Sequence, residues 1–374
     1  LDLAEDRLKN FVNDPTLQFF AAFAHLAQGQ YQESIRNFET LAEHPDVALG
    51  GLLGMIQAHR WSKTVDKEAI QMLEMRVRDE RKNANYQSNL FAALLLFLLE
   101  KPDKANEHID RAIKLSSSSS VVLCTKGWIE LSGGRNMKVA YQSFEDAAKL
   151  VKEGTKYLDP FLGMCRYHEL RQNYSGMVDS LNKAAAHSPN FIPIHLEKMK
   201  AQLMAKEWEQ SVETAQRCLI IESQSLEAQK YLILYALCFE GEYADASTSL
   251  NGLLQEIEST EAKNARLKLE LAQLFSRVCG RNLGILQHTK TLCERSLANM
   301  RTAEAQAELG RQLKLLGQVK QAIRAYKAAL EIETTDSAVL LGVVHCYLLE
   351  GNLSEASNQL DFIKAAHSET TNDT

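Results

Sequence analysis

The sequence predicts an all-α chain, wound as a superhelical stack of about ten helical pairs. Three observations carry this. Helix-forming residues dominate the 374 positions, apolar residues reach 45% and there are 6 Pro, while no long run of β-branched residues competes. Apolar positions follow the 3.6-residue period of amphipathic helices rather than the alternation of strands. A longer self-similarity, near 34 residues, runs along the chain, and a fixed period of that length marks a repeat architecture.

The segment from Ala303 to Thr334 supplies the template. Leu309-Gly310 and Leu313 mark a first helix, Gly317-Gln318 a turn, and Ala322, Tyr326 and Ala329 a second helix. A Leu-Gly pair followed by Ala-x3-aromatic is the pattern of a tetratricopeptide repeat (TPR), so the predicted class is a TPR solenoid. Close packing gives the reason. Small residues at Gly310, Ala322 and Ala329 let two helices approach, and Tyr326 fills the space between this pair and the next.

The second-helix signature, a bulky residue and a small one three positions later, recurs in order. It appears at Tyr31/Ser34/Phe38 and Pro102/Ala105/Ile109, then behind a lengthened turn at Ala140/Phe144/Ala147. Tyr174/Met177/Leu181 is a looser copy, followed by Trp208/Ser211, Tyr243/Ala246/Leu250, Val319/Ala322/Tyr326 and Leu353/Ala356/Leu360. Tyr174 to Trp208 spans 34 residues, Trp208 to Tyr243 spans 35, and Val319 to Leu353 spans 34. The intervals from Tyr31 to Pro102 (71), Pro102 to Tyr174 (72) and Tyr243 to Val319 (76) are each about two periods. A divergent pair therefore belongs in each long interval.

Punctuation agrees with this layout. Gly29, Gly241, Gly317 and Gly351 stand where a first helix must stop, a place for the left-handed cap. Pro15, Pro45, Pro160 and Pro189 fall between pairs, where a helix cannot continue. Ser116 to Ser120 reads as a polar tether, and Ser132-Gly133-Gly134 lengthens the fourth turn. Cys279 to Leu292 reads as irregular, with Gly280 and Gly284 interrupting the helical period. No linker is long enough to separate domains, so residues 1–374 are expected to form one continuous solenoid with a polar tail, 368–374, that frays.

Composition removes several function classes. A net charge of -6 and a pI near 6.0 give no footprint for nucleic acid or anionic lipid. The longest apolar run, Phe91 to Leu99, is nine residues, too short for direct membrane insertion as a span. The first residue is Leu1 and no signal-peptide pattern follows, so the sequence reads as part of a longer soluble protein. The 7 cysteines show no CxxC pair, so they read as small buried residues in a reducing compartment, with neither zinc nor a disulfide framework.

Searches for chemistry return nothing. GxGxxG, P-loop, HExxH and GxSxG are absent, so no catalytic residue, metal ligand, cofactor or small-molecule substrate is assigned. His25 and His168 take the place where the repeat usually carries Tyr, and packing with one hydrogen bond accounts for both. Trp61, Trp128 and Trp208 are expected as core or inter-repeat wedges. Arg78-Asp79-Glu80-Arg81-Lys82 reads as a solvated helix face. Asn173-Tyr174-Ser175 and Asn352-Leu353-Ser354 match the glycosylation sequon but fall at helix turns.

What remains is a surface. First helices line the concave side of such solenoids, and their register places Phe23, Leu94, Arg166, Lys200, Tyr235, Arg311 and His345 in the groove. One turn earlier come Phe19, Leu90, Leu162, Leu196 and Tyr231. The N-terminal groove is thus apolar, and the later part is dotted with basic and aromatic residues. Phe19, Phe23, Leu90 and Leu94 either pack between repeats or form a trough for a partner's helix or extended segment. The Lys/Asn/Arg clamp with which some TPR proteins grip a C-terminal carboxylate is not assembled.

Particular stretches go beyond the repeat class. They are Asp46-Val47-Ala48-Leu49, Gln57-Ala58-His59-Arg60 and Asp66-Lys67-Glu68-Ala69-Ile70, then Asp103-Lys104-Ala105 with Ile109-Asp110-Arg111. Arg171-Gln172-Asn173-Tyr174-Ser175-Gly176, Trp208-Glu209-Gln210-Ser211-Val212-Glu213-Thr214-Ala215 and Ser276-Arg277-Val278-Cys279-Gly280 follow. Together they resemble the N-terminal half of the tetratricopeptide repeat protein 21 family, the large TPR subunit of intraflagellar transport complex A. The resemblance runs through nearly all of the chain in order. It implies a non-enzymatic scaffold that binds other subunits of that complex, in the cytoplasm and cilium (axoneme and basal body). It also implies a role in retrograde ciliary transport and ciliary membrane-protein traffic, with no catalytic residue to carry over. Two other readings stay open: a TPR adaptor of a chaperone or ubiquitin-ligase assembly, or the regulatory arm of an enzyme.

Overall fold

The computed structural model describes residues 6–9, 11, 14–134, 136–152, 155–334 and 336–372, with side chains as far as Lys364. Among the described residues from Pro15 onward the chain forms twenty α-helices and one π-turn, with no strand. It divides into two compact units, Leu1–Ile194 and His195–Thr374.

The first unit holds five pairs. They are α1 (Pro15–Ala27) with α2 (Tyr31–Ala42), and α3 (Ala48–Trp61) with α4 (Lys67–Asn83). Then come α5 (Tyr86–Leu98) with α6 (Pro102–Leu115), α7 (Ser120–Gly133) with α8 (Met137–Lys149), and α9 (Asp159–Leu170) with α10 (Tyr174–His187). The unit boundary falls within α11 (Ile192–Met204). The second unit continues with α12 (Trp208–Ile221), α13 (Leu226–Tyr235), the π-turn Ala236–Glu240 and α14 (Tyr243–Thr260). It ends with α15 (Ala265–Val278), α16 (Leu283–Asn299), α17 (Ala303–Leu315), α18 (Val319–Leu330), α19 (Ser337–Leu349) and α20 (Leu353–Asn372). Tyr31, Pro102, Tyr174, Trp208, Tyr243, Val319 and Leu353, the sequence anchors, are each the first residue of a second helix. The divergent pairs α3/α4, α7/α8 and α15/α16 fill the long intervals.

Local chemistry starts and stops these helices. Asp14, Asp66, Asn85, Asn282, Thr302 and Asp336 each accept a backbone N–H of the first turn, at 2.8–3.3 Å, satisfying donors that have no partner within the helix. At the turn inside most pairs a residue takes a positive φ, although none does between α3 and α4. Gly does so in some pairs, as at Gly29 (77°) and Gly317 (74°), but Glu100 (57°), Gln172 (55°) and Lys206 (64°) do so in others. The small position of the second helix meets the backbone of its partner closely. Where it is Ser, the hydroxyl also donates across the pair, from Ser34 to the Ala22 carbonyl at 3.0 Å and from Ser211 to the Met199 carbonyl at 3.4 Å.

At three places the space between pairs is filled by a ring seated on glycine. Tyr326 of α18 is 4% exposed. A Cβ built on Gly310 of α17 would lie 2.8 Å from its ring, and one on Gly342 of α19 would also lie 2.8 Å away. Phe144 of α8 occupies the equivalent slot against Gly127 and Gly163, and Phe38 of α2 sits on Gly54 of α3.

Several expectations are revised. The irregular stretch from Cys279 to Leu292 reduces to a break at Cys279–Asn282, after which α16 runs for 17 residues. Gly284 lies in its first turn, where the Asn282 side chain accepts the Gly284 and Ile285 N–H groups. Trp61 is 47% exposed, because it ends α3 beyond Ala58, the last buried residue of that helix. Helix α20 carries backbone helix to Asn372, into the segment expected to fray, and residues 373 and 374 lie outside the described residues.

Candidate functional site, an apolar trough in the first unit

Helix α3 explains the site although it contributes little to it. Its sequence Leu49-Gly50-Gly51-Leu52-Leu53-Gly54 leaves one flank without side chains. A Cβ on Gly50 would meet Phe19 of α1 and Phe91 of α5, each at 3.1 Å. The two rings therefore close over α3, edge to face with centroids 5.0 Å apart, a favourable aromatic geometry. Helices α1 and α5 become neighbours across a pair that would otherwise separate them.

Beside that contact lies a trough of ≈ 410 Å³. Helix α5 supplies Tyr86, Leu90, Leu94 and Phe97, a single stripe spaced four, four and three residues apart. Helix α1 adds Phe20, α7 adds Val121, Thr125 and Trp128, and Tyr157 with Asp159 closes the end. Phe20 and Val121 are 42% and 43% exposed. Trp128 is fixed edge-on against the slot ring Phe144, with centroids 5.3 Å apart.

Burial raises the pKa of three titratable groups of the trough. Burial pushes the Cys124 thiol up to about 12, partly opposed by a hydrogen bond from Tyr157. Burial, then Cys124, raises the Tyr157 phenol, and burial raises the Asp159 carboxyl above its usual range. A thiol in this state is no nucleophile. The trough can desolvate an apolar surface and offer a few hydrogen bonds, which is recognition chemistry.

The residues chosen from sequence distribute as follows. Leu90 and Leu94 line the trough, while Phe19 is fully buried beneath it and Phe23 is half-buried against the same core. Arg166 is exposed and ion-pairs with Glu169, and Lys200 pairs with Glu197 at 2.7 Å. Tyr235 stacks on Phe239 of the π-turn, with centroids 5.2 Å apart, and Phe239 stacks on Trp208 at 5.8 Å. His345 is exposed, with Nδ1 3.3 Å from the Lys314 Nζ. Arg311 donates to Glu308 from Nε at 3.1 Å and from Nη2 at 2.7 Å. Glu308 is 4% exposed and also accepts from Ser276 at 2.9 Å and Gln312 at 2.8 Å. Each of the three cations thus has an acid three residues away on its own helix. Sequence reading missed Phe20, Tyr86, Phe97 and Trp128; the stripe on α5 was the available clue.

His25 and His168 each make one hydrogen bond, to Gln30 at 2.5 Å and to Asn173 at 3.2 Å. No group of three His, Cys, Asp or Glu that could hold a metal ion occurs among the described residues.

The fold is that of a helical-repeat scaffold, of a kind not typically enzymatic. Residues 1–212 match the tetratricopeptide repeat protein 21 N-terminal ARM repeat, and residues 248–374 match the second ARM domain of the same family. The chain belongs to the tetratricopeptide repeat protein 21 family. It is 38% identical to tetratricopeptide repeat protein 21B of Homo sapiens over 96% of this chain and 27% of that protein. It is 31% identical to tetratricopeptide repeat protein 21A of Homo sapiens over 96% of this chain and 28% of that protein. The chain therefore spans about a quarter of the length of these relatives. Among solved structures, the C-terminal part of a TPR repeat-containing protein from Cytophaga hutchinsonii aligns with a TM-score of 0.48 at 13% identity, covering 87% of this chain and 99% of that one.

Proposed function

We propose that the chain is a scaffold segment of intraflagellar transport complex A, binding other subunits of that complex through the trough of its first unit. In this reading it acts in the cytoplasm and cilium, at the axoneme and basal body, in retrograde transport and ciliary membrane-protein traffic. The observation that carries the reading is the trough itself: a preformed surface lined mainly by aliphatic and aromatic side chains, in a chain of the tetratricopeptide repeat protein 21 family. The stripe on α5 and its neighbours on α1 and α7 suit the apolar face of a partner helix.

The test is co-purification of the chain with each remaining subunit of the complex, comparing wild type with Phe20→Ala/Leu94→Asp. Phe20 is half exposed, but Leu94 also packs against two core clusters, so circular dichroism must first show the variant folded, and Phe20→Ala alone serves as the milder comparison. Truncating a buried anchor costs about 2 kcal/mol or more, so retained subunits should fall at least tenfold. A folded variant that co-purifies at the wild-type level overturns the trough. Retention by the wild type of chaperone or ubiquitin-ligase components instead would favour an adaptor elsewhere.

A further inference from the structure

A second cavity of the first unit lies between α4 and α6, floored by α3 and α5, with a volume of ≈ 300 Å³. We propose that it binds an acidic segment of a partner polypeptide, one apolar side chain resting on its floor and the flanking carboxylates on its cationic rim. This inference is independent of which assembly the chain serves.

The rim carries five cationic side chains, Arg60, Arg78, Arg81, Lys101 and Lys104, against two carboxylates, Glu74 and Glu107. Both carboxylates are already engaged. Arg60 donates to Glu74 at 2.7 Å, and Arg81 reaches Glu107 at 3.4 Å. Lys101 donates to the neutral Gln57 amide oxygen at 2.6 Å. Arg78 and Lys104 pair with no acid among the described residues, and the Arg81 Nε is buried with no acceptor. A buried donor without an acceptor is unfavourable, and it adds to the uncompensated positive character of the rim. The excess of positive charge is felt by its neighbours. Burial, then Arg60 and Lys104, lowers the Lys101 pKa, and burial, then Arg81 and Arg111, lowers that of His108.

The floor selects among anions. Leu53, Ile56, Val77 and Leu99 form an aliphatic base, which a bare phosphate or a polyphosphate would leave uncovered. An acidic peptide with one Leu or Phe uses both parts: the side chain removes apolar surface from water, and the guanidinium groups take carboxylates in their planar fork. Helix α4 creates the opening. It is 17 residues long and only Leu73 and Val77 are buried, so little apolar surface draws it toward α6. The charge run Arg78–Lys82, read from sequence as a solvated face, in part faces this cavity.

Fluorescence anisotropy of the 374-residue chain with a labelled peptide, three acidic residues on either side of a central Phe, tests the proposal. Arg78→Glu/Lys104→Glu changes two exposed side chains and should leave helicity and urea midpoint intact. Binding to wild type should weaken with salt, drop at least tenfold in this variant, and drop by a similar factor when Ala replaces the peptide's Phe. Arg78→Gln/Lys104→Gln should fall between, which separates charge loss from any disturbance by the reversals. No detectable binding, or wild-type binding by both variants, overturns the proposal. So does displacement by inositol hexakisphosphate at equal ionic strength with no dependence on the Phe, which would make the cavity a polyphosphate site.

Discussion

Tyr326 lies against Gly310 so closely that a single methyl carbon at the glycine would stand 2.8 Å from the ring. The same ring presses on Gly342 from its other side. One side chain thereby fixes the spacing of α17, α18 and α19, and the absence of two others makes room for it.

Gly342→Ala should therefore destabilise the second unit by about 1–3 kcal/mol, the range for overpacking a filled core. Urea denaturation gives the figure. Tyr326→Leu should recover part of it in the double variant, since residues in contact are not additive. Purely additive losses would show that the two positions do not compete for space.

The turns make the opposite prediction. Gln172 holds a φ of 55°, a conformation that costs a non-glycine residue about 1 kcal/mol. Gln172→Gly should raise stability by about 0.5–1 kcal/mol, while Gly317→Ala, at 74°, should lower it by a similar amount. Paired urea midpoints shifting in opposite directions are the expected result. A loss in both variants would count against the turn argument.

His108 gives the stability a pH dependence. It is buried at 4% exposure, and burial, then Arg81 and Arg111, lowers its pKa from 6.5 to about 4. The unfolded chain takes up this proton first as pH falls. Stability from this group is intact above about 6.5 and is lost progressively down to about 4, up to about 3 kcal/mol. Urea midpoints measured between pH 7 and pH 4 should fall less steeply in His108→Gln. Parallel slopes would assign the acid sensitivity to other groups.

Glu308 is a buried carboxylate on which several donors converge. Glu308→Ala strips Arg311, Gln312 and Ser276 of a shared acceptor and should cost about 3 kcal/mol or more, as breaking a buried pair does. Replacing both charges, as Glu308→Leu/Arg311→Met, should cost less than half as much. Thermal or urea unfolding distinguishes the two, and equal losses would argue that the pair is not a unit.

Much of the architecture was legible because it is short-ranged. The second-helix starts, the turn glycines and the seat of Tyr326 follow from period, φ preference and side-chain size, all of which act within one repeat. The trough was only half legible. Leu90 and Leu94 were found from register, but Phe20 joins them only because Gly50 lets α1 and α5 meet across an entire pair. Arg81 was read as solvated because a charge run carries no mark of the helix that will stand opposite it. Cys279 to Leu292 misled for a simpler reason: two glycines near a helix start resemble two glycines in a loop until the cap residue is known.

The slot formed by Gly310, Tyr326 and Gly342 also constrains how such an array can grow over generations. A duplicated pair brings its own ring and the glycine beneath it, but the glycine that receives the ring from above belongs to the following pair. New copies can be spliced in only beside a neighbour that already offers the hollow. A newcomer lacking it would have to lose its own ring before the row could close again.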